Sequence, residues 1–112
     1  MLDGIYSIVF RGADDFGMGI LILNSGNILG ADVGGIQYDG KYSESNDVVE
    51  VDLTMTVPPG ATLVQGTKAQ SLVYTIPVKT TVPKNAFEQN QPVLLQLPPG
   101  PVNVIFRRLR KL

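Results

Sequence analysis

The feature that most limits this chain is the rhythm of its first forty-odd residues. From Asp3 to Ser43, β-prone runs alternate with turns too short to carry a parallel crossover helix. Asp3–Arg11 is β-rich and stops at the polar Gly12-Ala-Asp-Asp15. Gly17–Asn24 and Ile28–Asp32 flank a compact turn in which Gly26 can adopt positive φ without steric cost. In Ile36–Ser43, the residues Ile36, Tyr38, Gly40 and Tyr42 share one face, and Gln37, Asp39, Lys41 and Ser43 the other. An antiparallel meander is the simplest arrangement that satisfies this pattern.

The remaining residues continue in kind. Val49–Val57 sends Val49, Val51, Leu53, Met55 and Val57 one way and Glu50, Asp52, Thr54 and Thr56 the other, as a strand with one wet face does. Pro58-Pro-Gly60 stops it, and 61–67 reads as a loop or a short irregular crossing. Ala69–Ile76 is the next strand, with Leu72, Tyr74 and Ile76 on one face, and Pro77 is expected to end, bulge or bend it. Prolines at both ends weaken an extension over Val78–Pro83. Lys84–Gln91 is the helix candidate; it is barely two turns long and needs Phe87 to pack against something. Pro92–Leu97 and Val102–Arg110 are the last strands, joined by a second Pro-Pro-Gly turn at 98–100. An open sheet of eight strands would leave both edges and one face exposed. The expected fold is therefore all-β: one domain over residues 1–112, a small eight-stranded antiparallel up-and-down β-barrel, closed by setting Asp3–Arg11 beside the C-terminal strand.

Composition removes several function classes. With 44% hydrophobic and 17% charged residues, the chain is no disordered polyelectrolyte. Cysteine is absent, which removes disulfides, thiolate catalysis and thiolate metal ligands; histidine, the commonest neutral-pH base, is absent too. Asp14-Asp15 reads as a solvated turn rather than an ion site, because the twelve-residue calcium-loop pattern is missing. Asp32 reads as a turn cap, or as a buried acid needing compensating hydrogen bonds. The glycines lack nucleotide-loop spacing, and Gly30, Gly34, Gly35 and Gly40 suit bends and close packing. Small residues on an inner face would also leave room for a ligand. No catalytic residue, metal or cofactor is expected. The N-terminus lacks a signal-peptide pattern and no run approaches membrane-spanning length, so a soluble cytoplasmic protein is the default.

The charges divide along the chain. Residues 1–66 hold nine acids against Arg11 and Lys41, whereas residues 67–112 hold seven bases against Glu88. Either the halves complement each other within one closed fold, or patches persist that steer self-association or partner binding. Arg107, Arg108, Arg110 and Lys111 form a basic stretch that can be a solvated terminus, a partner or dimer contact, or a phosphate contact. Because the stretch continues a strand, its side chains splay to opposite faces, and direct nucleic-acid binding is not expected. Tyr6, Phe10, Tyr38, Tyr42, Tyr74 and Phe106 read as core or interface aromatics.

The N-terminal meander resembles the GrlR family of negative regulators of type III secretion gene expression. The likeness rests on Asp3-Gly-Ile-Tyr-Ser-Ile-Val-Phe10, Gly19-Ile-Leu-Ile22, Gly26-Asn27, Gly30-Ala-Asp32 and Tyr38-Asp-Gly-Lys-Tyr42, with the remainder agreeing mainly in strand order. The resemblance implies a lipocalin-like, calycin-like barrel that forms a homodimer and acts in transcription regulation by binding a protein, such as a transcriptional activator. In the family, a surface acidic cluster engages the activator. The matching place here is Glu44-Ser-Asn-Asp47, so Glu44 and Asp47, with Glu50 and Asp52 on the following strand, form the expected partner-binding region. The alternative role is carriage of a small apolar ligand or lipid inside the barrel.

Overall fold

A computed structural model describes residues 2–66 and 68–112; Met1, and Thr67 at the end of the loop expected over 61–67, lie outside the described residues. Among the described residues the elements run β1 (Gly4–Arg11), β2 (Phe16–Asn24), β3 (Asn27–Asp32), β4 (Gln37–Ser45), β5 (Val48–Val57), β6 (Tyr74–Pro83), α1 (Lys84–Glu88), β7 (Val93–Leu97) and β8 (Gly100–Lys111). The sheet order is β6-β5-β4-β3-β2-β1-β8-β7, all antiparallel, and it curls into a nearly closed barrel. As expected, the first strand lies beside the last, paired from Gly4↔Lys111 to Arg11↔Asn103. The cylinder's seam falls between β6 and β7, which lie side by side without a hydrogen-bond ladder.

Alternation along each strand fills the interior. Tyr6 and Ile8 of β1, Leu21 and Leu23 of β2, Val49 and Met55 of β5, and Val102, Val104 and Phe106 of β8 are all buried. Their neighbours in sequence point to solvent, because successive side chains leave opposite faces of a strand. Two inward glycines illustrate how closely neighbouring strands approach. A Cβ at Gly40 would sit 2.3 Å from the Asp52 carbonyl oxygen, and one at Gly30 would sit 2.6 Å from that of Ile20. These positions take glycine because neighbouring backbone occupies the space of a side chain.

The structure corrects the reading of residues 69–83. Residues 69–73 are irregular, with Leu72 exposed, and β6 runs from Tyr74 straight through Pro77 to Pro83. Pro77 is opposite Thr54 of β5, while the other edge of β6 borders the seam. An edge strand tolerates a residue without an N–H, so proline need not terminate it.

The helix is shorter than expected, five residues instead of eight, and packing holds it in place. It has no side-chain N-cap, yet Ala86 and Phe87 are buried. The Phe87 ring meets Tyr6 edge-on at 5.6 Å and Phe106 at 4.4 Å, so α1 plugs the barrel end nearest the N-terminus. The β4–β5 turn clamps the helix from outside: the Lys84 N–H donates to the Asp47 carbonyl at 2.8 Å, and the Lys84 ammonium pairs with Glu44 at 3.4 Å.

Candidate functional site

The interior is not filled. A cavity of about 470 Å³ occupies the barrel, lined by inward apolar side chains such as Leu53, Leu95, Leu97, Val104 and Phe106. At one end the lumen stops at Phe87 of α1. At the other it is covered by the connection from β5 to β6, whose described residues are 58–66 and 68–73 and of which Gly60 to Gln65 lie across the mouth as a strap. Leu63, only 4% exposed, inserts from this strap into the lumen wall.

The strap is held lightly. Its backbone contacts with the barrel loops include the Asp14 N–H donating to the Val64 carbonyl at 3.0 Å. Among the described residues, further backbone hydrogen bonds run within the strap: the Gly66 N–H donates to the Leu63 carbonyl, Ala61 to Pro58, and Gly60 to Gln70. A Cβ at Gly12 would sit 2.4 Å from the Val64 carbonyl oxygen, so glycine there lets the strap lie flat on the β1–β2 turn.

Polar groups enter the lumen at few points. At the strap end, Asp32 closes the β3–β4 turn: its Oδ1 accepts from the N–H groups of Gly34 at 2.9 Å and Ile36 at 3.1 Å. The Tyr38 hydroxyl, across the same turn, donates to Asp32 Oδ2. The turn-cap expectation for Asp32 thus holds, and the same carboxylate lines the cavity. Nearer the helix end, the Tyr42 hydroxyl donates to Asp3 Oδ1 at 2.6 Å. Asp3 also accepts from the Ser25 N–H at 3.3 Å and so ties the N-terminus to the β2–β3 turn. Asp14 and Asp15 are exposed in their turn, where Asp15 caps the Phe16 N–H at 2.8 Å. Among the described residues, no group of three or more His, Cys, Asp or Glu side chains could hold a metal ion, and no helix is long and apolar enough to cross a membrane.

The four acids expected to form one partner-binding region do not share one surface. Glu44 has the inward parity of Tyr42, sits at the helix-end rim and is partly neutralised by Lys84. Asp47 stands at the turn tip, its carbonyl engaged by α1. Glu50 and Asp52 point outward from β5, and Asp52 faces its cross-strand partner Lys79 at 3.9 Å. Both ion pairs join an acid of the first half to a base of the second, so part of the charge division is compensated within the fold. The Asp52–Lys79 pair is largely exposed and contributes little.

The basic stretch divides as its strand geometry requires. Arg107 points out beside Ser7, while Arg108 turns inward over Tyr6, its Nε and Nη2 each donating to the Tyr6 hydroxyl at 3.1 Å. The Tyr6 hydroxyl in turn donates to the Leu2 carbonyl at 2.6 Å. A register shift between Ile5 and Tyr6 leaves Leu109 unpaired, so Arg110 faces outward opposite Ile5 and Lys111 lies opposite Gly4.

The sequence offered no sign of a second surface, on the outside of β8, β1, β2 and β3. There Val9, Met18, Ile20, Leu29 and Ile105 are each more than two-fifths exposed. Met18, Val9 and Ile105 form one cross-strand row. A parallel row reads Asp39, Leu29, Ile22, Ile5, Arg110, with an acid at one flank, a base at the other and three apolar residues between.

No protein-family model matches the chain, and no curated protein is significantly similar to it. The geometry of the lumen and the outer face carries the functional reading.

The lumen tyrosines give a test in alkali. Burial, then the hydrogen bond to Asp32 and its charge, raises the Tyr38 phenol far above its ordinary value. Burial and the hydrogen bond to Asp3 push Tyr42 up to about 12. Burial also raises Tyr6, against the lowering effect of Arg108. Because these folded values exceed the unfolded phenol value of ~10, the stability they contribute is intact below that pH and is lost as pH rises through the folded values. The denaturation midpoint should fall between pH ~10 and ~12. The phenolate absorbance of the folded protein should lag that of the denatured chain. Coincident titration curves would contradict the buried, hydrogen-bonded placement.

Proposed function

We propose that this is a non-enzymatic binding protein whose barrel interior takes a small, mainly apolar ligand. The observation that carries the proposal is the lumen of about 470 Å³, within the ~300–1,000 Å³ range of small-molecule sites and, like them, apolar with a few placed polar groups. An eight-stranded barrel can be packed solid by its own side chains, and this one is not. The strap over one end supplies a movable cover, since among the described residues few backbone hydrogen bonds tie it to the body.

Titration with the neutral fluorophore N-phenyl-1-naphthylamine should give a saturable, blue-shifted signal at one dye per chain. Native mass spectrometry of gently purified protein should show a non-covalent apolar adduct. Val104 points into the lumen, so Val104→Phe should cut dye affinity at least tenfold while leaving the far-ultraviolet dichroism of the barrel unchanged. Absence of saturable binding, or equal affinity in a folded Val104→Phe variant, would overturn the proposal.

A second reading, action through protein contact as the regulatory resemblance implies, draws its support from the outer face of β8-β1-β2-β3. The dispersal of Glu44, Asp47, Glu50 and Asp52 gives it less support. The occupant that fits this face is a second copy of the chain. A two-fold contact centred on β2 brings apolar rows together and directs Asp39 of each copy toward Arg107 and Arg110 of its partner. Light scattering behind size-exclusion chromatography should give a dimer mass for the native chain and a monomer mass for Met18→Asp. A monomeric native chain at micromolar concentration would remove this reading.

A further inference from the structure

We infer that the lumen selects an apolar molecule whose polar end is a hydroxyl or an amine, and rejects the corresponding carboxylate. This rests on the lumen reading above and specifies the ligand that reading leaves open.

The inference follows from which charges reach the cavity. Among the described residues, the lining includes the carboxylates Asp15 and Asp32 and the phenols Tyr38 and Tyr42, but no lysine or arginine. None of the chain's nine bases is among the lining residues, although Arg11 and Lys68 stand near the strap end. Lys79 points out from β6, Lys84 pairs with Glu44 at the rim, Arg107 and Arg110 face outward, and Arg108 is held at Tyr6. An anionic head seated against the lining would therefore lose its hydration without a lysine or arginine in contact with it. At the strap end it would also meet the part-buried Asp32 carboxylate, an unfavourable encounter that low local polarity enlarges, with the exposed Asp15 adding like charge at the mouth.

Asp32 is suited to the opposite kind of head. A carboxylate offers about four acceptor positions. Here Oδ1 accepts from Gly34 and Ile36, and Oδ2 accepts from Tyr38, which leaves one position on Oδ2 for an incoming donor. The two backbone bonds hold Oδ1 within the turn, so the acceptor is already oriented and a ligand need not order it. A hydroxyl donates to that position. An ammonium donates and also brings the charge opposite to that of Asp32 and Asp15. The apolar remainder of the ligand then lies along Leu53, Leu95 and Val104 toward Phe87.

The test is displacement of bound N-phenyl-1-naphthylamine by ligands of one chain length, below their micelle-forming concentrations at neutral pH. The ligands are 1-dodecanol, dodecylamine, methyl dodecanoate and dodecanoate. In the native chain, dodecanol and dodecylamine should displace the dye at concentrations at least tenfold lower than dodecanoate. The uncharged ester should fall between them. In Asp32→Asn, which keeps an acceptor for the turn, the dodecylamine advantage should shrink at least fivefold and dodecanoate should gain. Dodecanoate equal to or better than dodecylamine in the native chain overturns the inference while leaving a lumen site standing. Unchanged ratios in a folded Asp32→Asn variant also overturn it, because Asp32 is then not the selecting group. If Asp32→Asn does not fold, the comparison of the four ligands on the native chain decides alone. If neither the dye nor any of the four binds, the lumen reading fails and the head-group inference falls with it.

Discussion

β1 carries a hydrogen-bond ladder on both edges, to β2 on one side and to β8 on the other, and that double pairing turns a meander into a cylinder. Once the first and last strands are joined, every inward side chain faces one shared interior, and the alternation in each strand must agree with its neighbours. A slip of one residue in any strand would put its apolar set into water and its polar set inside. The cylinder also leaves one weak line, between β6 and β7, because the chain spends the intervening residues on α1 rather than on a hairpin. The helix uses that freedom to place Phe87 under Tyr6 and Phe106 and so to close one end.

Whether such a cylinder is solid or hollow depends on side-chain volume along the inner face. Here β2, β3 and β4 bring Gly19, Gly30 and Gly40 to inward positions, and at each of them the adjacent strand's backbone lies within contact of a would-be Cβ. The glycines therefore tighten one wall. The space that remains is lined from every strand, on the wall away from these glycines mainly by medium-sized Val and Leu residues. Chain segments lie over both ends: a packed helix at one and, at the other, a strap with few described backbone hydrogen bonds to the body. The contrast in how firmly they are fastened makes the strap end the natural way in.

Much of the fold was readable from residue alternation. β-rich runs between turn signals located β1 to β3, and period-2 patterns β4 and β5, to within about two residues at each end; the pairing of the termini followed from the need to remove sheet edges. The second half was harder to read because proline gives opposite signals in different strands. Pro58 and Pro98 close strands, whereas Pro77 lies within one because β6 is an edge. The site was less legible than the fold. Asp32 read as either a turn cap or an inward acid needing compensating hydrogen bonds, and in the fold one carboxylate does both, capping the turn and lining the cavity. The acids from Glu44 to Asp52 looked like one cluster along the chain, but they span a strand end, a turn tip and an outer face, and Lys84 and Lys79 reach two of them only in the folded molecule. The outer apolar band was illegible for a related reason. Val9, Met18, Leu29 and Ile105 are far apart in sequence and become neighbours through register.

The central claim is that the barrel encloses a continuous apolar space beneath the strap, not a core packed solid by its own side chains. Xenon enters apolar cavities by dispersion attraction and ignores hydrogen-bond chemistry, so it reports the space itself rather than any one ligand. Diffraction from crystals held under xenon pressure should show ordered xenon inside the barrel, in contact with Leu53, Leu95 and Val104. An interior free of xenon, with those three side chains packed against one another across the barrel axis, would contradict the account.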